Sequence, residues 1–463
     1  MSRQVARVLI VAVALAHAAI FIAYQRPDWT TQWTDQNGYL MLGRALAQTG
    51  RFTRFPASAD YVPEAIRTPV YPAFVAVIDR IFGESHAAIA WAQAALFAII
   101  CLLVYQIALG ALGDRVAVAA GLVTALYPPL PYYGALVLTE TLATFLVTAG
   151  LALWIHALRR NAATTFVASG LTFAVAALTR PSFQLLPLFL VVPPLFVSAD
   201  RRRWWRGCAA MVVAYGIAVL PWIAYNMVEF KALTFSPAGG PGRQVFEGSW
   251  QVLLPGRLEA ELTAAADAAP DTAALDAAVR GIAAREHRPA EPLLRYVHQH
   301  LKIQRIWFEP TDPRQRMSAR IAADHEYLRA GIENIRRDPI AWAWGRLTRG
   351  AILFWAAEIP IRYSDINRLS TGLIRALWIA QIGLLLLAAV GAIALARAGA
   401  WIELGAFAAL VVSVSVVHIP MYSEARYSLP AKPIVLLMAT AGVIWMASGG
   451  RAERRLPPSQ SQK

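Results

Sequence analysis

Five places in this sequence set ionisable side chains among apolar or aromatic neighbours: Asp35, the pair Glu64 and Arg67, Glu140, Arg180, and Glu424-Ala425-Arg426-Tyr427. Inside a bilayer each such group is costly alone, so groups of both signs gathered at one depth are what a site for a charged head group requires. The stretch from Thr34 to Pro72 is the densest in charge, aromatics and proline, in a chain that is otherwise 57% hydrophobic and 16% charged. His298-Gln299-His300 and Asp324-His325-Glu326 invite a metal reading, but their spacing fits no strong ligand pattern and solvated helix faces account for them. Cys101 and Cys208 both fall inside apolar runs, which indicates neither a disulfide framework nor a metal site. No glycine-rich phosphate loop, nucleophile elbow or zinc-binding helix motif stands out, and nothing suggests a nucleotide-sugar site or ATP coupling.

Whether those five places meet depends on the elements that carry them. Apolar runs of about 20 residues, the length that crosses about 30 Å of hydrocarbon, recur along the chain. It therefore reads as an all-α polytopic membrane protein with about ten spans, near 7–24, 86–110, 115–134, 137–158, 164–179, 182–198, 208–225, 372–396, 401–419 and 430–448. The first run could pass for a signal peptide; the apolar runs that follow favour an uncleaved span. The formal charge of +14 is a topology signal. Arg3, Arg7, Arg115, Arg159, Arg160, Arg201, Arg202, Arg203, Arg206, Arg397 and the tail from Arg451 fall on one side, the cytoplasmic side by the positive-inside bias. The opposite loops are nearly balanced, so anionic lipid head groups rather than nucleic acid are the expected partner of the basic excess.

Two boundaries follow from energetics. A charge at mid-bilayer costs at least about 2.5 kcal/mol, which makes Thr179-Arg180-Pro181-Ser182 the outer apex of a hairpin. Pro128, Pro129 and Pro131 split the run between Arg115 and Leu158, placing Glu140 near the outer start of the next span. All five ionisable places then face outward. Residues 1–225 form an N-terminal membrane half, whose first outer loop at 26–85 carries the candidate active site. Residues 226–371 form an outer, mainly helical cap, 372–450 return to the membrane, and 451–463 read as a disordered basic cytoplasmic tail. Tyr71 to Phe82 reads as a helix on the bilayer surface and Arg257 to His287 as an alanine-rich helical tract, while the tryptophan-rich stretch from Ile340 to Ile359 could lie in the interface or dip into the membrane, the parity of the inside-positive loops favouring the interface. Tyr127, Tyr132 and Tyr133 read as interfacial belt residues.

The sequence resembles the multispan C-type glycosyltransferases that use lipid-linked sugars, among them bacterial relatives of protein O-mannosyltransferases and the lipid A aminoarabinose and galacturonic acid transferases. The resembling pieces are Asp35-x3-Tyr39-x5-Ala45-x4-Gly50, Arg67-Thr68-Pro69-Val70-Tyr71-Pro72 followed by Phe82-Gly83, Leu138-Thr139-Glu140, Leu178-Thr179-Arg180-Pro181, Pro221-Trp222 to Asn226 leading into Gly239-Gly240, and Ala425-Arg426-Tyr427-x2-Pro430. Mannosyltransferases of this group tend to carry Asp-Glu in the first loop, where this chain has Asp35-Gln36, which weighs against mannose as the sugar. The alternation of about ten spans puts both termini on the cytoplasmic side, and the resemblance implies an enzyme of a bacterial inner membrane. It would take a sugar from a polyprenyl phosphate on the outer face and pass it, with inversion, to a lipid, glycan or protein acceptor. Asp35 would be the general base, with Tyr39, Glu64, Arg67, Tyr71, Glu140, Arg180, Arg426 and Tyr427 contacting substrate. No cofactor is expected from the sequence, and a metal requirement stays open, since Asp35 and Glu140 could together hold a divalent cation.

Plainer readings stand beside these. Asp35 could cap the helix it begins, Arg180 could anchor the hairpin, and Arg426 could pair structurally with Glu424 or Glu140. A transporter or flippase of lipid-linked sugars, and a polysaccharide polymerase or ligase, are the competing functions. A transporter should show repeat-related halves and broken helices at the midplane, and a polymerase or ligase would not be organised around a first-loop acid.

Overall fold

The computed structural model describes residues 1–29, 34–160, 162–197, 201–254, 256–362, 365 and 368–450. The tail at 451–463 lies outside them. Among the described residues every regular element is helical, as the composition led us to expect: α1 (Arg3–Gln25), α2 (Thr34–Thr49), α3 (Val70–Phe82), α4 (His86–Leu112), α5 (Asp114–Ala125), α6 (Pro129–Gly134), α7 (Glu140–Arg160), α8 (Ala163–Thr179), α9 (Leu186–Val191), α10 (Pro194–Val197) and α11 (Arg201–Phe230). The cap follows with α12 (Pro241–Gln251), α13 (Gly256–Ala268), α14 (Thr272–Arg285), α15 (Ala290–Phe308), α16 (Pro313–Arg337), α17 (Pro339–Gly345) and α18 (Ala351–Trp355), and the chain closes with α19 (Thr371–Arg397), α20 (Trp401–His418) and α21 (Lys432–Ala447).

Each of the ten apolar runs is helical, but only seven helices among the described residues are long and apolar enough to cross a membrane. The other three are short for a physical reason. Proline ends α5 and starts α6, the Arg180-Pro181 turn stops α8 after 17 residues, and Pro187, Pro193 and Pro194 break the return leg into α9 and α10. This is an all-α polytopic membrane protein.

The spans share one apolar core, into which α1 points Ala6, Ile10, Ala14 and Ala18 at helical spacing. Polar contacts gather the basic turns at one end: Arg3 Nε donates to Asp114 Oδ1 at 2.8 Å, and Arg159 pairs with Glu403. The cap has its own core, built on Phe246, Trp250, Leu262, Val279, Val297 and Tyr327. A small seam of Val62, Ala65, Ala238 and Met317 keys it to the first loop.

Three expectations change. The alanine-rich tract is two helices, parted at Ala269-Pro270, with Asp271 capping the second through Ala274 N at 2.8 Å. The end of the tryptophan-rich stretch packs inward: Phe354 is fully buried, and Lys432 donates to the Trp355 carbonyl at 2.7 Å. Tyr127, Tyr132 and Tyr133 are buried rather than forming a belt. Tyr127 donates to Gln381 at 3.1 Å and Tyr132 to the Ile361 carbonyl at 2.6 Å, so these two hydroxyls find acceptors inside the protein.

Candidate active site

Six chain segments form the walls of a cleft of about 140 Å³ at the end of the bundle facing the cap. Helix α2 supplies Asp35 and Tyr39, the loop before α3 supplies Arg67 and Thr68, the start of α7 supplies Glu140, and the turn after α8 supplies Arg180. Arg426 and Tyr427 come from a 3-10 turn, Ala425–Ala431, and Ser236 with Gly239 close the cap side.

Asp35 does not spend itself as a cap. It lies inside α2, in the first turn, and its two carboxylate oxygens accept from different arginines: Oδ1 from Arg67, and Oδ2 from Arg426 Nη2 at 3.3 Å. Arg426 also pairs with Glu424, and its Nε lies 3.9 Å from Glu140 Oε1, so one guanidinium joins the first-loop acid to the α7 acid. Arg180 Nη1 donates to the same Glu140 oxygen at 3.1 Å. Glu140 is 2% exposed, and its Oε2 finds no hydrogen-bond partner among the described residues. Three arginines and three carboxylates thus meet in one network.

The tyrosines hold the guanidinium planes. Arg67 lies over Tyr39 at 4.7 Å, while Arg180 and Arg426 lie over Tyr427 at 4.5 and 5.3 Å. Burial pushes the Asp35 carboxyl up, but Arg67 and then Arg426 outweigh it and hold the group well below the usual carboxylate range. In the resting site Asp35 is therefore an ionised acceptor with little proton affinity.

Two expected contacts are not in the cleft. Tyr71 is fully buried behind Tyr39, edge-on at 4.9 Å, with its hydroxyl donating to Gln93 at 3.2 Å. Glu64 is also fully buried: it takes Arg54 Nε at 2.5 Å and the amides of Ile66 and Arg67 at 2.7 and 3.1 Å. It shapes the loop that presents Arg67 rather than facing the cavity. Gln36, at the departure from the Asp-Glu pattern, is buried and accepts from Val137 N at 2.8 Å, tying α2 to the approach to α7.

Ser236 and Gly239 line the cleft without having been singled out as site residues. Ser236 Oγ donates to the Ile66 carbonyl at 2.5 Å and Ala238 N to Ala65 O at 2.8 Å. A Cβ on Gly239 would lie 2.5 Å from Ile66 O. Asn226 aims this loop by donating to Thr234 O at 2.7 Å. The available signal was the run Ser236-Pro237-Ala238-Gly239-Gly240, where glycine marks a close backbone approach. The histidine-rich stretches play other parts. His298 pairs with Asp276 at 2.8 Å, and Asp324 accepts from the Gly242 and Arg243 amides at the start of α12. Among the described residues no group of three or more metal-binding side chains comes together.

Residues 66–225 match the family model described as dolichyl-phosphate-mannose-protein mannosyltransferase. In three dimensions the chain is similar to the archaeal oligosaccharyltransferase AglB from Archaeoglobus fulgidus, solved with an inhibitory peptide and a dolichol-phosphate. The TM-score is 0.53 at 12% identity, over 98% of this chain and 52% of that one. The apo form of that oligosaccharyltransferase gives 0.52 at 13%, over 97% and 52%. ArnT from Cupriavidus metallidurans bound to undecaprenyl phosphate gives 0.41 at 18%, over 97% and 79%. The chain spans about half the length of the archaeal enzyme. No curated protein sequence matches it. A fold shared with an oligosaccharyltransferase and a mannosyltransferase family match over the stretch that holds Arg67, Glu140 and Arg180 bear out the resemblance to C-type membrane glycosyltransferases of lipid-linked sugars.

Proposed function

We propose that this chain is an integral membrane glycosyltransferase that moves a sugar from a polyprenyl-phosphate donor to a lipid, glycan or protein acceptor on the outer face of a bacterial inner membrane. The observation that carries the reading is the position of Arg426, whose guanidinium reaches Asp35 at 3.3 Å and Glu140 at 3.9 Å inside an open, polar cleft. The three arginines supply always-charged donor forks suited to phosphate oxygens. A donor phosphate entering beside Arg67 and Arg426 competes with Asp35 for both.

That competition supplies the chemistry. As the two guanidinium groups turn to the phosphate, the half-buried carboxylate of Asp35 loses the charges that hold its proton affinity down, and it becomes a base only once the donor is bound. The acceptor oxygen attacks the anomeric carbon on the face opposite the phosphate. The new carbon–oxygen bond forms as the bond to the phosphate breaks, with inversion. The bonding pair leaves on the phosphate, whose growing charge Arg67, Arg180 and Arg426 neutralise. Asp35 takes the acceptor proton, and Glu140, with one oxygen on Arg180, keeps the other for a sugar or acceptor hydroxyl. These steps call on no cofactor; a divalent ion held between Asp35 and Glu140 could take the unpartnered Glu140 Oε2 but would have to displace an arginine from Asp35.

The test is transfer in proteoliposomes from a radiolabelled polyprenyl-phosphate sugar. Label appearing in an acceptor that a lipid extract or peptide mixture supplies supports the reading. Donor crossing the bilayer intact, with no new glycosidic bond, would establish the flippase instead.

A further inference from the structure

Arg346 lies outside the cleft, in a π-helical turn at Arg346–Gly350 between α17 and α18, and is 2% exposed. All five of its N–H groups are used. Nε donates to Ile419 O at 2.6 Å, one Nη to Gln251 Oε1 at 2.9 Å and to Gly248 O at 3.4 Å, and the other to Met421 O and to Ser423 Oγ at 2.5 Å. Each of these acceptors is neutral. A buried guanidinium with only neutral partners is expensive to desolvate, and its planar fork is the one side chain that satisfies five acceptors at fixed angles. Burial, with Arg349 nearby, lowers it to about 10, so it stays charged at neutral pH.

The surroundings are shaped for it. A Cβ on Gly350 would lie 3.0 Å from the Arg346 Cζ, and one on Gly248 would lie 2.5 Å from the Met421 carbonyl carbon. Gln251 doubles the link, accepting from Ser423 N at 2.9 Å and donating to Ser423 O at 2.7 Å, while Tyr422 N donates to Gln244 O at 2.9 Å. The segment so held, Ile419 to Ser423, runs directly into Glu424 and Arg426. Single-turn π-bulges of this kind concentrate at functional sites.

We propose that Arg346 is a positioning residue for donor recognition: it pins the 419–423 strap to α12 of the cap and thereby sets where Arg426 and Tyr427 present themselves to the donor phosphate. The link to the donor rests on the glycosyltransferase reading; the link to the strap does not. Losing the pin should leave both cores intact but let the strap, and Arg426 with it, wander.

The experiment compares the full-length parent with Arg346→Lys, Arg346→Met and the milder Gly350→Ala, purified in detergent. Two readouts are taken: amide hydrogen exchange over 419–427, and affinity for undecaprenyl phosphate by tryptophan fluorescence. We expect faster exchange in 419–427 with α4 and α7 unchanged, and polyprenyl-phosphate affinity weakened about tenfold in Arg346→Lys and more in Arg346→Met, a tenfold change being about 1.4 kcal/mol. Gly350→Ala, whose new methyl only nudges the guanidinium, should fall between parent and Arg346→Lys, and it decides the question if the arginine variants do not fold. Unchanged exchange in 419–427 overturns the pin. Faster exchange with parental affinity overturns the donor role. A parent that binds no polyprenyl phosphate overturns the reading of the site, while the exchange data still decide the pin.

Discussion

Asp35 and Arg426, 391 residues apart in the chain, meet at 3.3 Å between Oδ2 and Nη2. The contact joins the first outer loop to the approach of the last span, and it fixes the resting state of the proposed base. An acid whose pKa is depressed by two arginines stays ionised above that value, and what its ion pairs contribute to stability is lost only as the pH falls through it.

The first prediction is a separation of pH profiles. In the free enzyme Asp35 titrates below its ordinary value, so kcat/KM should show no acid limb from this group above about pH 4. In the donor complex the arginines have turned to phosphate while burial still raises the carboxyl, so the acid limb of kcat should lie at higher pH. Measuring both profiles from pH 5 to 8 checks this; coincident acid limbs would mean that donor binding does not release Asp35.

Arg180 and Glu140 should separate in kinetics, although they share a 3.1 Å ion pair. Arg180→Met removes a charge-assisted contact to phosphate and should raise donor KM about 10- to 100-fold. Glu140→Gln leaves three arginines facing two carboxylates, so donor KM should hold or fall while kcat drops about tenfold or more from the lost orientation. Initial rates over a donor series distinguish the two, and equal KM increases in both variants would contradict the assignment.

Gly239→Ala should destabilise the cap junction. The added methyl would lie 2.5 Å from Ile66 O and 2.6 Å from Ser236 Oγ, an acceptor and its donor in one hydrogen bond, so neither can yield freely. Overpacking of this kind costs about 1–3 kcal/mol, read as a thermal midpoint lowered by a few degrees in detergent, with transfer reduced because Arg67 follows Ile66. A parental midpoint would show that the loop can relax.

The pairing of Glu140 with Arg180 and Arg426 was legible because charge in an apolar run has few places to go, and the topology rules put all three at one end. Asp35 and Arg67 were legible through the density of their loop. Burial was not: Tyr71 and Glu64 belong to the same motifs as Arg67, yet one supports Tyr39 from behind and the other folds the loop, and nothing in their spacing separates lining from support. The proline breaks at 128–131 were read as span boundaries, but that Tyr132 would turn inward to Ile361 depends on a partner 229 residues away. Arg346 was invisible for the same reason. Its partners are backbone carbonyls and small polar groups at 248–251 and 419–423, and neutral acceptors leave no charge pattern for a sequence to display.

The most direct measurement is sugar transfer from a labelled polyprenyl-phosphate donor in proteoliposomes by the parent and by Asp35→Asn at matched amounts of folded protein. A positioned general base gives about 10² to 10⁴ in rate, so the account predicts a loss of at least about a hundredfold with donor binding retained. Near-parental transfer by folded Asp35→Asn would contradict it.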